Sequence, residues 1–238
     1  MIKLLLVLAL TAAPAAHAAG DHDLPLDPVK VDLRDKASLQ RGARLFVKHC
    51  LSCHSAKYMR YSRMGQDLDL TDELVKDNLL FAAEKVDDPM KAMMTPEQAK
   101  AAFNAVPPDL SLTARSRGPA WIYTYLRSFY LDDKAPSGWN NRVYPNLSMP
   151  HVLSDWQGSQ RAVFGKDGTV ERLEIETPGT MTPQDYDAAM RDLTHFMVYL
   201  GEPAKLVRYD LGWYVLAYIA VFVAFAYLLK REYWKDVH

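Results

Sequence analysis

Apolar positions fall into two unbroken runs, one near each end of the chain, with helical spacing between them. The first run, Leu4 to Leu10, follows Lys3 and stops at Thr11 and Pro14. It is too short to cross a bilayer. Ala16-His17-Ala18 then supplies small residues where a signal peptidase reads, so residues 1–18 are expected to be a secretory signal. The second run, Leu211 to Leu229, has 19 residues without a charge between Asp210 and Lys230-Arg231. As a helix it would be about 28 Å long, close to the roughly 30 Å hydrocarbon core. Tyr209, Trp213 and Tyr214 at one end, and Tyr227, Tyr233 and Trp234 at the other, suit the headgroup region. The expected division is a signal peptide (1–18), a periplasmic domain (19–208), a transmembrane helix (209–229) and a cytoplasmic tail (230–238). The positive-inside bias is weak, so the signal peptide sets this orientation: single-pass in the cytoplasmic membrane, with the domain in the periplasm.

Between the runs the pattern is mostly helical. Leu39, Ala43, Phe46 and Val47 share a face that leads into Cys50; Leu74, Val75, Leu79 and Ala82 suggest a helix over residues 71–86. Residues 96–105 form a short helix stopped by Pro107-Pro108, and residues 121–131 an aromatic one. Partial alternation around Asp167-Gly168 predicts a small hairpin. Thr182-Pro183 opens a last helix in the domain, with Met190, Leu193, Phe196, Met197 and Leu200 in a stripe. That stripe needs a partner, and the helix carrying Gly42 and Phe46 is the candidate because a glycine admits a second backbone closely.

Composition narrows the classes. Among 238 residues, 49% are hydrophobic and 24% charged, with a net charge of -1, which excludes disorder. The same near-neutrality argues against a nucleic-acid partner. Charge is nevertheless segregated: Asp67 to Asp88 holds eight acidic residues against Lys76 and Lys85, a local sum of -6. Such a stretch is either a solvated face or a docking site for a basic partner.

The two cysteines stand in Cys50-Leu51-Ser52-Cys53-His54, the C-x-x-C-H pattern of covalent c-type haem attachment. Cysteines three apart on a helical turn point to one side, where their sulfurs can add to two vinyl groups, and the next residue brings an imidazole under the iron. Cys50 and Cys53 are therefore the expected anchors of one haem c, and His54 its proximal ligand. Zinc would normally recruit further cysteines or a histidine pair, and the chain has no other cysteine; a redox dithiol belongs in a βαβ context, which these helical surroundings do not offer.

The opposite axial ligand decides the chemistry, since a methionine saturates the iron and raises its potential. Met149 is preferred because it lies in a non-helical segment between Pro145 and Pro150, free of any packing stripe. Met93 or Met94, His151 and an open site remain alternatives. Arg115 and Arg117, near the aromatic wall expected of Trp121 and Tyr123, are candidates for the propionates.

From the helix before Cys50 to the tail after Leu229, the chain resembles cytochrome c1, the haem subunit of quinol:cytochrome c reductase, in a bacterial form. The resemblance is carried in order by the Cys50–His54 motif, Pro107-Pro108-Asp109-Leu110-Ser111, Ala114-Arg115, Met149-Pro150, Gly179-Thr180-Met181, Glu202-Pro203 and the terminal apolar helix. It implies a mainly α, cytochrome c-like haem domain with a small β-hairpin and one C-terminal transmembrane helix. It also implies Met149 as sixth ligand, Arg115 at a propionate and Pro108 in the cofactor-binding segment. Electrons would arrive from a Rieske iron-sulfur protein, beside cytochrome b, and leave to a cytochrome c. The other readings are an anchored cytochrome c of a terminal oxidase and a haem enzyme or sensor with an open distal site.

Overall fold

The computed structural model describes residues 24–236, so the expected signal peptide lies outside the described residues. In chain order the elements are α1 (Lys36–His49), β1 (Ala56–Arg60), α2 (Tyr61–Asp67), α3 (Asp72–Asn78), β2 (Pro89–Met90) and α4 (Pro96–Phe103). They continue with α5 (Thr113–Arg117), α6 (Pro119–Arg127), β3 (Phe129–Leu131), β4 (Trp139–Asn141), α7 (Ser154–Gln157), β5 (Gly158–Phe164), β6 (Val170–Pro178), α8 (Pro183–Gly201) and α9 (Lys205–Tyr233). The strands form three antiparallel pairs, β1–β2, β3–β4 and β5–β6. The last is the expected hairpin, running from Gly158 opposite Pro178 to Phe164 opposite Val170.

Asp35 caps α1 by accepting the Ser38 N–H, and Thr182 caps α8 by accepting that of Asp185, with Pro183 in the first turn. The two helices pack on each other along the stripes read from the sequence. Leu39, Ala43, Phe46 and Val47 of α1 are buried, as are Met190, Leu193, Phe196, Met197 and Leu200 of α8. Gly42 makes the crossing possible: a Cβ there would lie 2.2 Å from the Asp192 carbonyl oxygen and 2.7 Å from Phe196 Cβ. Polar groups lock the same interface. Arg41 makes a two-pronged ion pair with Asp192, and Ser38 donates to Asp192 while bonding His195 Nδ1 at 2.7 Å. This packing fixes the C-terminal end of α1, and with it the start of the cysteine turn.

Two helices are shorter than their periodicity predicts. α3 ends at Asn78 rather than Val86, because the N–H groups of Leu79 and Leu80 both turn back to the Val75 carbonyl. The following segment pairs with α2 instead: the Val86 and Asp88 carbonyls accept from Ser62 and Tyr61. α6 ends at Arg127, before the predicted Leu131. Asn141 donates to the Tyr125 carbonyl, and Gln157 and Gln160 both donate to that of Arg127, which frees Phe129–Leu131 to pair with β4. α9 is the one helix among the described residues long and apolar enough to cross a membrane, and none of its most apolar stretch is buried in the domain.

Candidate functional site

The site begins where α1 stops. Cys50 donates to the Phe46 carbonyl, and the N–H groups of Cys53 and His54 both donate to the Cys50 carbonyl, at 3.0 and 2.8 Å. These bonds fold Cys50–His54 into one compact turn, pinned to the core by Leu51. The thiols of Cys50 and Cys53 are free of any disulfide. Burial, with Cys53 adding, pushes the Cys50 thiol up to about 12, the opposite of what a reactive dithiol requires. Among the described residues no group of three or more His, Cys, Asp or Glu side chains could hold a metal ion, so the zinc alternative finds no further ligands there.

The Pro107–Ser111 segment lies alongside this turn. Leu110 donates to the Ser55 carbonyl at 2.7 Å, and the Asp109 carboxylate accepts from the Lys57 and Ser111 N–H groups. The consequence falls on His54, whose Nδ1 is 2.8 Å from the Pro108 carbonyl oxygen. A carbonyl can only accept, so Nδ1 carries the proton and Nε2 presents its lone pair outward. Burial lowers the His54 pKa against the opposing pull of Pro108 and Asp109, which favours the neutral imidazole a metal needs. Pro108 thus acts through its backbone oxygen, which orients the His54 ring.

Met149 is half-buried in the non-helical stretch that follows Asn146, a residue with φ +60°. The Tyr125 hydroxyl donates to its sulfur at 3.2 Å. Tyr125 stacks on Trp121 with ring centroids 5.0 Å apart and meets Phe129 edge-on at 5.2 Å. Burial first, then Tyr144 and Cys50, push the Tyr125 hydroxyl's pKa up. One face of α6 thus carries Trp121 and Tyr125 and, through the Tyr125 hydroxyl, holds Met149.

The alternatives for the sixth ligand are placed differently. Met93 and Met94 donate their N–H groups to the Leu51 and Ser52 carbonyls of the cysteine turn itself, and Met93 is 62% exposed. His151 is buried, stacked flat on Phe129 at 4.7 Å and edge-on to Trp139 at 5.1 Å. Burial outweighs the effect of Gln157 and lowers its pKa to about 4, so it is a neutral ring packed among aromatics.

The aromatic wall differs from expectation in one member. Tyr123 faces away from Trp121 and lies under Arg127, at 4.7 Å. Residues two apart cannot share a helix face; Trp121 and Tyr125, four apart, do. The spacing rule was available in the sequence, and Tyr125 is the residue it should have singled out. Arg117 stands 5.3 Å over the Trp121 ring, whose buried Nε1–H has no partner among the described residues. Arg115, exposed on α5, has its Cβ against Gly201 and lies near Glu202.

This donor set fits a haem: an oriented imidazole with a free Nε2, a sheltered thioether, two unpaired cysteines and an unpartnered indole N–H beside a cation. Fold and site together define an electron-transfer cytochrome with a C-terminal helix suited to membrane anchoring. Residues 30–237 match the Cytochrome C1 family, and the chain belongs to that family. It is 46% identical to cytochrome c1 of Allochromatium vinosum, each chain covered in full, and 44% identical to a Nitrosomonas europaea protein named ammonia monooxygenase gamma subunit, over all of this chain and 99% of that one. Cytochrome c1 of Rhodospirillum rubrum is 27% identical over 85% of this chain and 83% of its own.

Proposed function

We propose that this chain is the membrane-anchored c-type cytochrome of a quinol:cytochrome c reductase, receiving single electrons from a Rieske iron-sulfur protein and passing them to a cytochrome c. The observation that supports this reading is the His54 ring oriented by the Pro108 carbonyl directly after two free cysteines, with the Met149 thioether held separately by the Tyr125 hydroxyl. A haem held there supplies reversible one-electron chemistry at iron. Cys50 and Cys53 would hold it covalently, and His54 and Met149 would bind its iron. With His54 and Met149 both committed to iron, these residues would hold the group and leave no place for a substrate to bind there. Two arginines are offered to the propionates: Arg115 by the resemblance, and Arg117 by its position over Trp121.

Cytochrome b and the Rieske protein are the proposed partners in the membrane, with α9 as the anchor and the haem domain in the periplasm. The acidic stretch Asp67 to Asp88 is the proposed docking surface for a basic cytochrome c, through a subset of its residues. Asp67 is engaged by Arg63 and by the Tyr199 hydroxyl, and Asp69 by Lys36. Asp72, Glu73, Asp77, Glu84 and Asp87 remain exposed for an encounter that would weaken with salt.

Purification of the full chain from its native membrane tests the assignment. Cytochrome b and a Rieske protein should co-purify, and the haem should stay on the polypeptide in acidic acetone. Oxidase subunits, or those of a monooxygenase as the name of the Nitrosomonas relative suggests, would reject the partners; extractable pigment would reject the attachment. The bis-histidine alternative has its own check. Replacing His151 with Phe substitutes one buried ring for another and removes an unpartnered Nε2. The optical spectrum should be unchanged and stability altered by no more than about 1 kcal/mol; loss of the low-spin spectrum would make His151 a ligand.

A further inference from the structure

Met149 is held in place, and the holding group is chemically selective. A buried phenol needs a hydrogen-bond partner, and a thioether is a weak acceptor that a tyrosine would not ordinarily choose. Among the described residues the Tyr125 hydroxyl bonds to one group alone, the Met149 sulfur, at 3.2 Å. Its ring has little freedom to look elsewhere, stacked on Trp121 with an interplanar angle of 10° and edge-on to Phe129 at 74°.

The backbone around the pair is clamped as well. Asn141 is fully buried; its Nδ2 donates to the Tyr125 carbonyl at 2.9 Å while its Oδ1 accepts from the Val143 and Tyr144 N–H groups. Asn140 Oδ1 accepts from the Asn141 and Asn146 N–H groups, both at 2.9 Å. The end of the helix that carries Tyr125 and the loop that carries Met149 are thereby tied into one polar network, so the distance from hydroxyl to sulfur is set by structure on both sides.

We propose that Tyr125 is a positioning residue that sets the redox potential of the site through its hydrogen bond to the Met149 sulfur. This rests on the assignment of Met149 as a ligand. A thioether sulfur has two lone pairs. With one directed to iron, a hydrogen bond to the other draws electron density off the sulfur and makes it a poorer donor. The oxidised, more electron-demanding iron loses more by this than the reduced iron, so the hydrogen bond raises the potential. The bond also orients the thioether, leaving the first lone pair aimed away from Tyr125.

The test uses the full-length haem-loaded chain in detergent, with Tyr125→Phe, Met149→Ala and the double variant compared by optical redox titration and by the thioether-to-iron charge-transfer absorption. Tyr125→Phe keeps the ring and its stacking and removes only the donor. It is expected to keep the charge-transfer band and to shift the ratio of oxidised to reduced protein at fixed poise about fivefold toward the oxidised form. That corresponds to a fall of about 40 mV at 59 mV per tenfold change for a one-electron couple. In the Met149→Ala background the same change should have no effect on the potential. An unchanged or raised potential in Tyr125→Phe, beside a lowered one in Met149→Ala, would overturn the role of Tyr125 and leave the ligand assignment standing. An unchanged spectrum in Met149→Ala would overturn the ligand assignment, and the role of Tyr125 with it.

Discussion

Met149→Ala is expected to convert a six-coordinate, low-spin iron into one with an open position, visible as loss of the thioether charge-transfer band and as ready binding of carbon monoxide. The expectation follows from where the competing donors lie. Met93 and Met94 are hydrogen-bonded to the turn that bears His54, and His151 is enclosed by Phe129 and Trp139. His151 cannot turn out without leaving that aromatic packing, and the Met93 and Met94 backbones are committed to the cysteine turn. The potential should fall by on the order of 0.1 V, a modest share of the roughly 0.8 V over which axial ligands tune haem. Stability should suffer less than the potential, because Met149 is only half-buried and its neighbour Leu147, 5% exposed, anchors the loop. A six-coordinate spectrum retained in this variant would show that another side chain supplies the bond.

Gly42→Ala separates local preference from packing by its sign. In an isolated helix the change stabilises by about 1 kcal/mol. Here the new methyl would lie 2.2 Å from the backbone carbonyl oxygen of Asp192 in α8, a residue whose side-chain carboxylate is held by Arg41 and Ser38. Relief requires the two helices to part, which strains Phe46 against Phe196, their rings now 5.5 Å apart. Overpacking of this kind costs about 1–3 kcal/mol and sometimes more. After the propensity gain is subtracted, a net loss of about 1 kcal/mol is expected, lowering Tm by roughly 2–4 °C for a domain of this size. Thermal unfolding followed by circular dichroism decides it, and a raised Tm would show that α1 and α8 do not meet as described. Because α1 ends in the cysteine turn, the variant should also slow haem attachment, seen as a smaller fraction of pigmented protein.

Both variants probe places where local and distant information meet. Capping by Thr182, the apolar stripes of α1 and α8, the hairpin around Gly168 and the uncharged stretch of α9 were all legible in the chain. Each depends on residues within a few turns of one another, where spacing alone dictates which side chains share a face. The Cys50–His54 motif belongs with them: its residues are consecutive, and its chemistry follows from one helical turn.

Segments whose ends are settled by remote partners were misjudged. Residues 79–86 keep a helical spacing of apolar side chains, but Leu79 and Leu80 close the helix on Val75, and the backbone beyond them satisfies α2 instead. α6 stops short because Asn141, Gln157 and Gln160 take its terminal carbonyls. Tyr125 could have been noticed from its four-residue offset to Trp121, but its bond to Met149 spans 24 positions and exists only once β3 and β4 have paired. Likewise, the tautomer of His54 depends on the Pro108 carbonyl 54 residues away. Periodicity and motif assign a residue to an element and a type of chemistry, because those are properties of adjacent atoms. The direction of a lone pair, the partner of a buried hydroxyl and the end of a helix depend on which distant backbone groups remain unsatisfied, and that is decided only when the chain has closed upon itself.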